Sequence, residues 1–121
     1  MNFSRLRSFL LEKPGAIEEF PFDNVTLVIK VSGKMFALVV TNDEPLRLNL
    51  KCDPAKAEIL RSLYPAILPG YHMNKRHWNT VIIDGSLPDT DIFSMIDDSY
   101  RLVVQGLPRS RRPETIDIGL K

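Results

Sequence analysis

The sequence predicts an α+β protein, a two-layer sandwich in which helices cover one face of an antiparallel sheet. Three observations lead to this fold class. Apolar residues recur with helical spacing at the start, in the middle and towards the end of the chain, whereas the segments between them alternate with a period of two. Short turns separate consecutive strands, which makes those strands antiparallel neighbours. The expected order is α-β-β-β-α-β(β)-α, where the bracketed strand is short and optional.

The first helix is predicted over residues 3–12. One apolar stripe defines it, formed by Phe3, Leu6, Phe9 and Leu10. Pro14 ends the helix because it disfavours the helical conformation at Lys13, and Gly15 suits the turn that follows.

Three strands are predicted over the next part of the chain. In the first, alternate residues are apolar, namely Val25, Leu27, Ile29 and Val31. Ser32-Gly33 forms a tight turn into a second strand over 34–41, and residues 42–45 form another turn. In the third strand, over 46–52, Leu48, Leu50 and Cys52 are expected to point inwards. Arg47, Asn49 and Lys51 are expected to point outwards.

The second half is predicted to add two helices and a strand. Asp53 caps a helix that starts at Pro54, with an inward stripe of Ala57, Leu60 and Tyr64. A strand follows over 78–83, and the optional strand is placed at 71–73. A long helix is expected to begin near Ser86, with Ser86 and Asp89 as a capping box, and to end at Gly106. Its inward stripe consists of Ile92, Ile96, Ser99 and Val103. Residues 1–108 then form one domain, and 109–121 a polar tail expected to be mobile.

Composition restricts the class of function. The chain has 121 residues, with 16 Lys and Arg against 15 Asp and Glu, so its net charge of +1 is unlike that of a strongly basic nucleic-acid domain. A local basic surface remains compatible with this balance. The single cysteine fits a reducing compartment. Neither a signal peptide nor a membrane-spanning apolar run is recognisable, so we expect a cytoplasmic protein that does not enter membranes.

The densest polar segment covers residues 69–80. Its candidate ligand-binding residues are His72, Asn74, Lys75, Arg76, His77, Trp78 and Asn79. The cations suit phosphate contacts, the amides and imidazoles suit hydrogen bonds, and Trp78 suits stacking on a base. The alternative is an ordinary turn in which Trp78 anchors the core and the charges are merely solvated.

The outward face of the sheet provides a second group of candidates. Lys30, Arg47 and Lys51 point outwards by alternation, and Lys34 lies beside a turn. On neighbouring strands these four cations form one positive surface, unless they serve only solubility. The tail adds a small basic cluster of Arg109, Arg111 and Arg112, for which a solvated tail is the simpler interpretation.

No constellation of catalytic residues is recognisable. His72 and His77 are five residues apart, which fits neither one helical face nor one strand face, so no metal site is expected. Phosphate-binding glycine loops and serine-nucleophile motifs are missing from the sequence, so we expect no cofactor and no enzymatic activity. An enzyme or small-molecule site remains an alternative if folding brings both histidines to Glu18 or Glu19.

Five sequence blocks resemble the MmcQ/YjbR family over residues 5–108. They are KPGAIEEFPF (13–22), VSGKMFAL (31–38), LNLKCDP (48–54), PGYHMNKRHWNTV (69–81) and DSYRLVVQGLP (98–108). The resemblance implies a fold similar to type III secretion chaperones, and members of the family are commonly labelled DNA-binding proteins. It highlights many of the polar candidates already chosen, among them Lys34, Lys51, His72, Asn74, Lys75, His77, Trp78 and Asn79.

The leading hypothesis is therefore a non-catalytic module that binds DNA weakly and electrostatically. The rival hypothesis is a protein-interaction or chaperone-like module that holds a peptide or protein partner. Both a monomer and a homodimer are compatible with the sequence.

Overall fold

A computed structural model describes residues 1–71 and 73–113. Its elements, in chain order, are α1 (Phe3–Leu11), β1 (Ala16–Glu19), β2 (Thr26–Val31), β3 (Lys34–Val40), β4 (Leu46–Lys51), α2 (Pro54–Leu63), β5 (Ile67–Pro69), β6 (Trp78–Ile83), α3 (Asp89–Gln105) and a short 3₁₀ helix, Arg109–Arg111. None of the helices in this described part of the chain has the length and apolarity needed to cross a bilayer.

The six strands form one antiparallel sheet in the spatial order β1-β2-β3-β4-β6-β5. All three helices pack on the same face of this sheet. Apolar side chains from α1 and α3 join the inward residues of the strands in one core; they include Leu6, Leu10, Ile92 and Ile96. The predicted two-layer α+β fold and its order of elements are thereby confirmed.

Two strands differ from the sequence prediction. β1 was not expected, because its four residues, AIEE, are partly exposed and carry no apolar alternation. It extends the sheet beyond β2 as an edge strand. The optional strand lies at Ile67–Pro69, before the turn, and not at 71–73. The reason is that the backbone of β5 pairs with β6 through Ile67 and Val81, whereas residue 71 is already in a turn.

The helix ends agree with the prediction in one case and differ in the other. The Asp53 side chain accepts a hydrogen bond from the Lys56 N–H at 3.2 Å, as expected of an N-cap. Helix α3 starts at Asp89, not near Ser86. Ser86 donates both its N–H and its hydroxyl to the Asp84 carboxylate, at 3.0 and 2.6 Å, so it closes a turn and does not cap the helix.

The first residues of the predicted tail are fixed to the domain. The Ser32 hydroxyl donates to the Arg111 carbonyl at 2.6 Å, and the Arg111 guanidinium donates back to the Ser32 carbonyl. Arg112 donates to the carbonyls of Leu107 and Gln105, at 3.0 and 2.9 Å. The expectation of a mobile tail is therefore wrong for residues 109–113, and the rest of that prediction lies outside the described residues.

Strand β3 contains one more residue than its partner β2 in the middle of their ladder. The register shifts between Ile29, which faces Ala37, and Lys30, which faces Met35, so Phe36 is the extra residue. Phe36 and Ala37 both lie on the helical side, where each is fully buried. Such a bulge bends the strand and disturbs its pairing with the next one.

Strands β3 and β4 separate next to this bulge. Their last paired residues are Ala37 and Leu50. Beyond them, the Ser99 hydroxyl of α3 donates to the Phe36 carbonyl at 2.6 Å and accepts from the Lys51 N–H at 2.9 Å. A serine hydroxyl thus takes the place of a direct ladder bond between the two strands. We call this arrangement of Phe36, Lys51 and Ser99 the fork.

Replacement of Ser99 by Ala is expected to destabilise the protein. Ser99 is fully buried, and its loss leaves a carbonyl and an N–H without their partner, at a cost of about 1–3 kcal/mol. Urea unfolding of the variant measures this change. The matched control is Ser94→Ala on the exposed side of the same helix, expected within about 0.5 kcal/mol of the wild type. Equal stability of Ser99→Ala and the wild type would contradict the role of the fork.

Candidate nucleic-acid interface

One end of the sheet gathers segments that are far apart in the sequence. Because the strands are antiparallel, β2 ends where β3 begins, and β4 ends where β6 begins. The ends of the two strand pairs, at Val31 and Lys34 and at Lys51 and Trp78, lie on the same side of the molecule. The last turns of α3 reach this end of the sheet as well.

A cleft of about 410 Å³ opens at this end, next to the fork. Its lining residues come from the starts and ends of three strands and from α3; they are Lys34, Met35, Lys51, Trp78, Leu102, Val103 and Gly106. Three predicted site residues, Lys34, Lys51 and Trp78, are thus brought together. The cleft exists because β3 and β4 have separated at the fork, so Lys34 and Met35 do not pair with the end of β4.

The cleft is electropositive. No Asp or Glu is among its lining residues. Within the described ranges, neither Lys34 nor Lys51 forms an ion pair. Arg111 lies beside the β2–β3 turn next to Lys34. Arg112 covers two carbonyls at the end of α3, which offsets the partial negative charge of a helix C-terminus.

The loop before β6 is organised by Arg61 of α2. Its Nε donates to the Asn79 Oδ1 at 2.6 Å, and its terminal nitrogen donates to the carbonyls of Trp78, at 3.2 Å, and Lys75. Sequence reasoning missed this residue. A signal was present, because Arg61 lies four residues after the buried Ala57 and therefore on the inward side of its helix.

Lys75 and Arg76 face a second hollow. Its volume is about 500 Å³, and it is lined by Pro54, Ala55, Glu58, Arg61, Lys75 and Arg76. The Lys75 Nζ donates to the Gly70 carbonyl at 3.0 Å, and the Asn74 Oδ1 accepts from the Arg76 N–H at 3.0 Å. Since Trp78 follows two residues after Arg76, this hollow and the cleft are joined by one short loop.

Asn79, Lys30 and Arg47 are among the predicted site residues that do not line the cleft. Asn79 is 2 % exposed and points to the helical side, so the expectation that it contacts a ligand directly does not fit its burial. Lys30 forms an ion pair with Glu19 at 3.1 Å. Arg47 is exposed on the helix-free face, about 13 Å along β4 from Lys51. The four cations that were predicted to form one positive surface therefore do not lie together: Lys34 and Lys51 line the cleft, and Lys30 and Arg47 do not.

His77 and the acidic residues of β1 are not brought together. His77 is half-buried next to β6, and His72 lies outside the described residues. β1 is separated from β6 by three strands, about 19 Å at the usual strand spacing. Glu18 instead accepts hydrogen bonds from Arg7, which lowers the pKa of its carboxyl group.

Burial raises the pKa of the Cys52 thiol, as expected for a cysteine in the core.

The helix-free face of the sheet combines polar and apolar groups. At its centre, the Thr80 hydroxyl donates to the Asn49 Oδ1 at 2.6 Å, and both residues are buried. Towards the two edges, Ile17 is 61 % exposed and Leu68 is 41 % exposed. From the sequence, Arg47, Asn49 and Lys51 were expected to make this face polar. The face is more apolar than that expectation.

The fold defines the class: small α+β proteins with three helices on one face of an antiparallel sheet. The sequence model of the YjbR family matches residues 11–102. The chain belongs to the YjbR family, as its sequence blocks indicated.

Known proteins resemble the chain over most of its length. The uncharacterized protein YjbR of Escherichia coli K12 is 38 % identical over 112 residues, which cover 93 % of this chain and 95 % of that protein. The crystal structure of Deinococcus radiodurans protein DR2400 superposes with a TM-score of 0.87 at 40 % identity, covering 99 % of this chain and 89 % of that one. A Pseudomonas syringae protein superposes with a TM-score of 0.74 at 30 % identity, covering 84 % and 98 %.

Replacement of Arg61 by Met is expected to loosen the loop before β6. The variant leaves the buried Asn79 Oδ1 without its donor and removes one of the two donors to the Trp78 carbonyl, which keeps the Gly70 N–H, so we expect a loss of about 1–3 kcal/mol in unfolding free energy. Amide hydrogen exchange should become faster across residues 75–78. The control is Arg76→Met, an exposed residue of that loop, which should change neither quantity. Unchanged exchange in Arg61→Met would show that the loop does not depend on Arg61.

Proposed function

We propose that this protein is a non-catalytic DNA-binding protein that binds weakly, mainly through electrostatic contacts, at the cationic end of its sheet. One observation carries the proposal. Lys34 and Lys51 come from different strands, yet they line one cleft with Trp78, and no carboxylate lies among the lining residues. Lysines that served only to keep the protein in solution would not need to line the same cleft.

The charge distribution supports a polyanion as the ligand. Lysines attract phosphate groups as point charges, and each neutralised phosphate releases counterions into solution. Lys75 and Arg76 extend the positive surface along the adjoining hollow, and Arg111 extends it beside the β2–β3 turn. The near-neutral whole protein, with a net charge of +1, fits modest affinity, because few cations are available for such contacts. We place this activity in the cytoplasm, where a single reduced cysteine is usual.

A second candidate function rests on the helix-free face. The exposed side chains of Ile17 and Leu68 at its two edges, with half-buried Leu38 and Ile82 between them, give this face apolar groups that suit a protein partner. Ile17→Glu distinguishes the two candidates, because it should abolish capture of a protein partner after nuclease treatment and leave DNA binding intact. Loss of DNA binding in Ile17→Glu would favour a shared surface and would contradict the separate cationic site.

DNA binding is expected to weaken as salt concentration rises and to depend on the two cleft lysines. The double variant Lys34→Gln/Lys51→Gln should bind a labelled duplex more weakly at low salt. The slope of log K against log salt should become shallower by about 0.9 for each phosphate contact that is lost. Fluorescence anisotropy between 20 and about 200 mM salt measures both quantities, a range over which such contacts lose most of their strength.

The charge-matched control is Arg47→Gln, which removes an exposed cation on the other part of the sheet. This variant should retain the affinity and the salt slope of the wild type. Wild-type protein that does not bind at low salt, or an equal loss in Arg47→Gln and in the cleft variant, would contradict the proposal.

A further inference from the structure

We infer that the cleft beside the fork receives one unpaired nucleotide, so that the protein prefers single-stranded DNA to duplex DNA. This inference rests on the proposed DNA-binding function and names the form of DNA that the same site takes. Three features of the cleft carry it: its size, the division of its lining into apolar and cationic parts, and the position of Trp78.

The dimensions of the cleft suit a single small organic group. A volume of about 410 Å³ lies within the range of about 300–1,000 Å³ typical of pockets for small molecules. A duplex presents phosphates and base edges on a broad surface, and its bases stay stacked inside the helix unless they are flipped out. An unpaired nucleotide, by contrast, can place its base in a cleft of this size.

The lining offers both parts that a nucleotide requires. Trp78, Met35, Leu102 and Val103 provide an apolar surface for a flat base, and sulfur and aromatic groups contact such rings favourably. Lys34 and Lys51 provide positive charge for the flanking phosphates. A site for phosphate alone would not need this apolar lining, and a site for an apolar ligand would not need two unpaired lysines.

The neighbouring hollow provides a path for the next phosphates. Arg61 holds the carbonyls of Lys75 and Trp78, so the loop that joins cleft and hollow has a defined shape. Arg76 has an exposed side chain beside Lys75, whereas Glu58 on the far wall limits the positive surface. A strand with its base at Trp78 can thus continue along the 75–78 loop.

Trp78 also provides a local reporter, because the sequence contains a single tryptophan. At low salt, the unlabelled full chain is titrated with a twelve-nucleotide oligothymidylate, with a duplex of equal length and with thymidine monophosphate. The oligothymidylate should quench Trp78 fluorescence and bind at least about tenfold more tightly than the duplex, since base–aromatic stacking is available only to the single strand. Thymidine monophosphate should quench the same fluorescence at much higher concentration.

Variants examined by anisotropy with a labelled oligothymidylate test the stacking itself. Trp78→Leu should weaken binding by about 5- to 150-fold, the range expected for one stacked base. Trp78→Phe should retain most of the affinity. The control is Phe22→Leu, an aromatic residue that is 73 % exposed at the other edge of the sheet, which should change nothing.

The possible outcomes separate this inference from the proposed function. Equal, salt-sensitive binding of single strand and duplex without quenching would overturn the inference and leave the DNA-binding proposal standing. Thymidine monophosphate that binds as tightly as the oligomer would overturn the inference in favour of a free nucleotide. If no nucleic acid binds at low salt, both proposals fail. The comparison of ligands uses the wild-type chain, so it decides the question even if Trp78→Leu does not fold.

Discussion

The hydroxyl group of Ser99 bridges two strands at the point where their direct pairing ends. It donates to the Phe36 carbonyl and accepts from the Lys51 N–H, and it is fully buried between α3 and the sheet. Cys52, directly after β4, donates its N–H to the His77 carbonyl at 2.7 Å. The end of β4 therefore stays paired with β6, whereas the start of β3 stays paired with β2. The fork therefore converts a flat sheet end into a recess. The start of β3 therefore does not lie against the end of β4, and the cleft opens between them.

The cationic character of the cleft depends on how the surrounding charges are paired. The acidic groups of α3 are used elsewhere: Asp98 pairs with Lys56 and Arg101, and Asp97 pairs with Lys13. The residues around the cleft are left with positive charge, and Arg112 shields the carbonyls at the end of α3. A protein with almost no net charge can thus present one basic surface, because nearby carboxylates such as Asp98 are already paired with other cations. This pairing reconciles the near-neutral composition with the proposal of DNA binding.

The fold was largely predictable from the sequence, because its signals are local. Strand alternation, the Asp53 cap, the Ser32-Gly33 turn and the apolar stripe of α3 each depend on a few neighbouring residues, and all four are present in the structure. Ser32 and Gly33 both have positive φ, as their turn requires. Even Ser99 could be assigned to the inward side of its helix. Its partners could not be predicted, since they follow from a bulge that shifts the register of two strands.

The candidate site was predictable only in part. Lys34, Lys51 and Trp78 were chosen from composition and alternation, but their convergence follows from the topology of the sheet. Lys30 was misjudged because β1, which carries its partner Glu19, has no clear sequence signal. Asn79 was grouped with Trp78 by proximity in sequence, although adjacent residues of a strand point to opposite faces. Its amide oxygen is held by Arg61, a residue recognisable only as a charge on the inward side of a helix.

Backbone amide chemical-shift changes on addition of a short single-stranded oligonucleotide would locate the binding surface directly. We expect the largest changes at Lys34–Met35, at Lys51–Cys52, at Trp78 and at residues 102–106, the segments that surround the fork. Changes concentrated on the helix-free face around Arg47 and Leu68, with the cleft residues unaffected, would contradict this expectation.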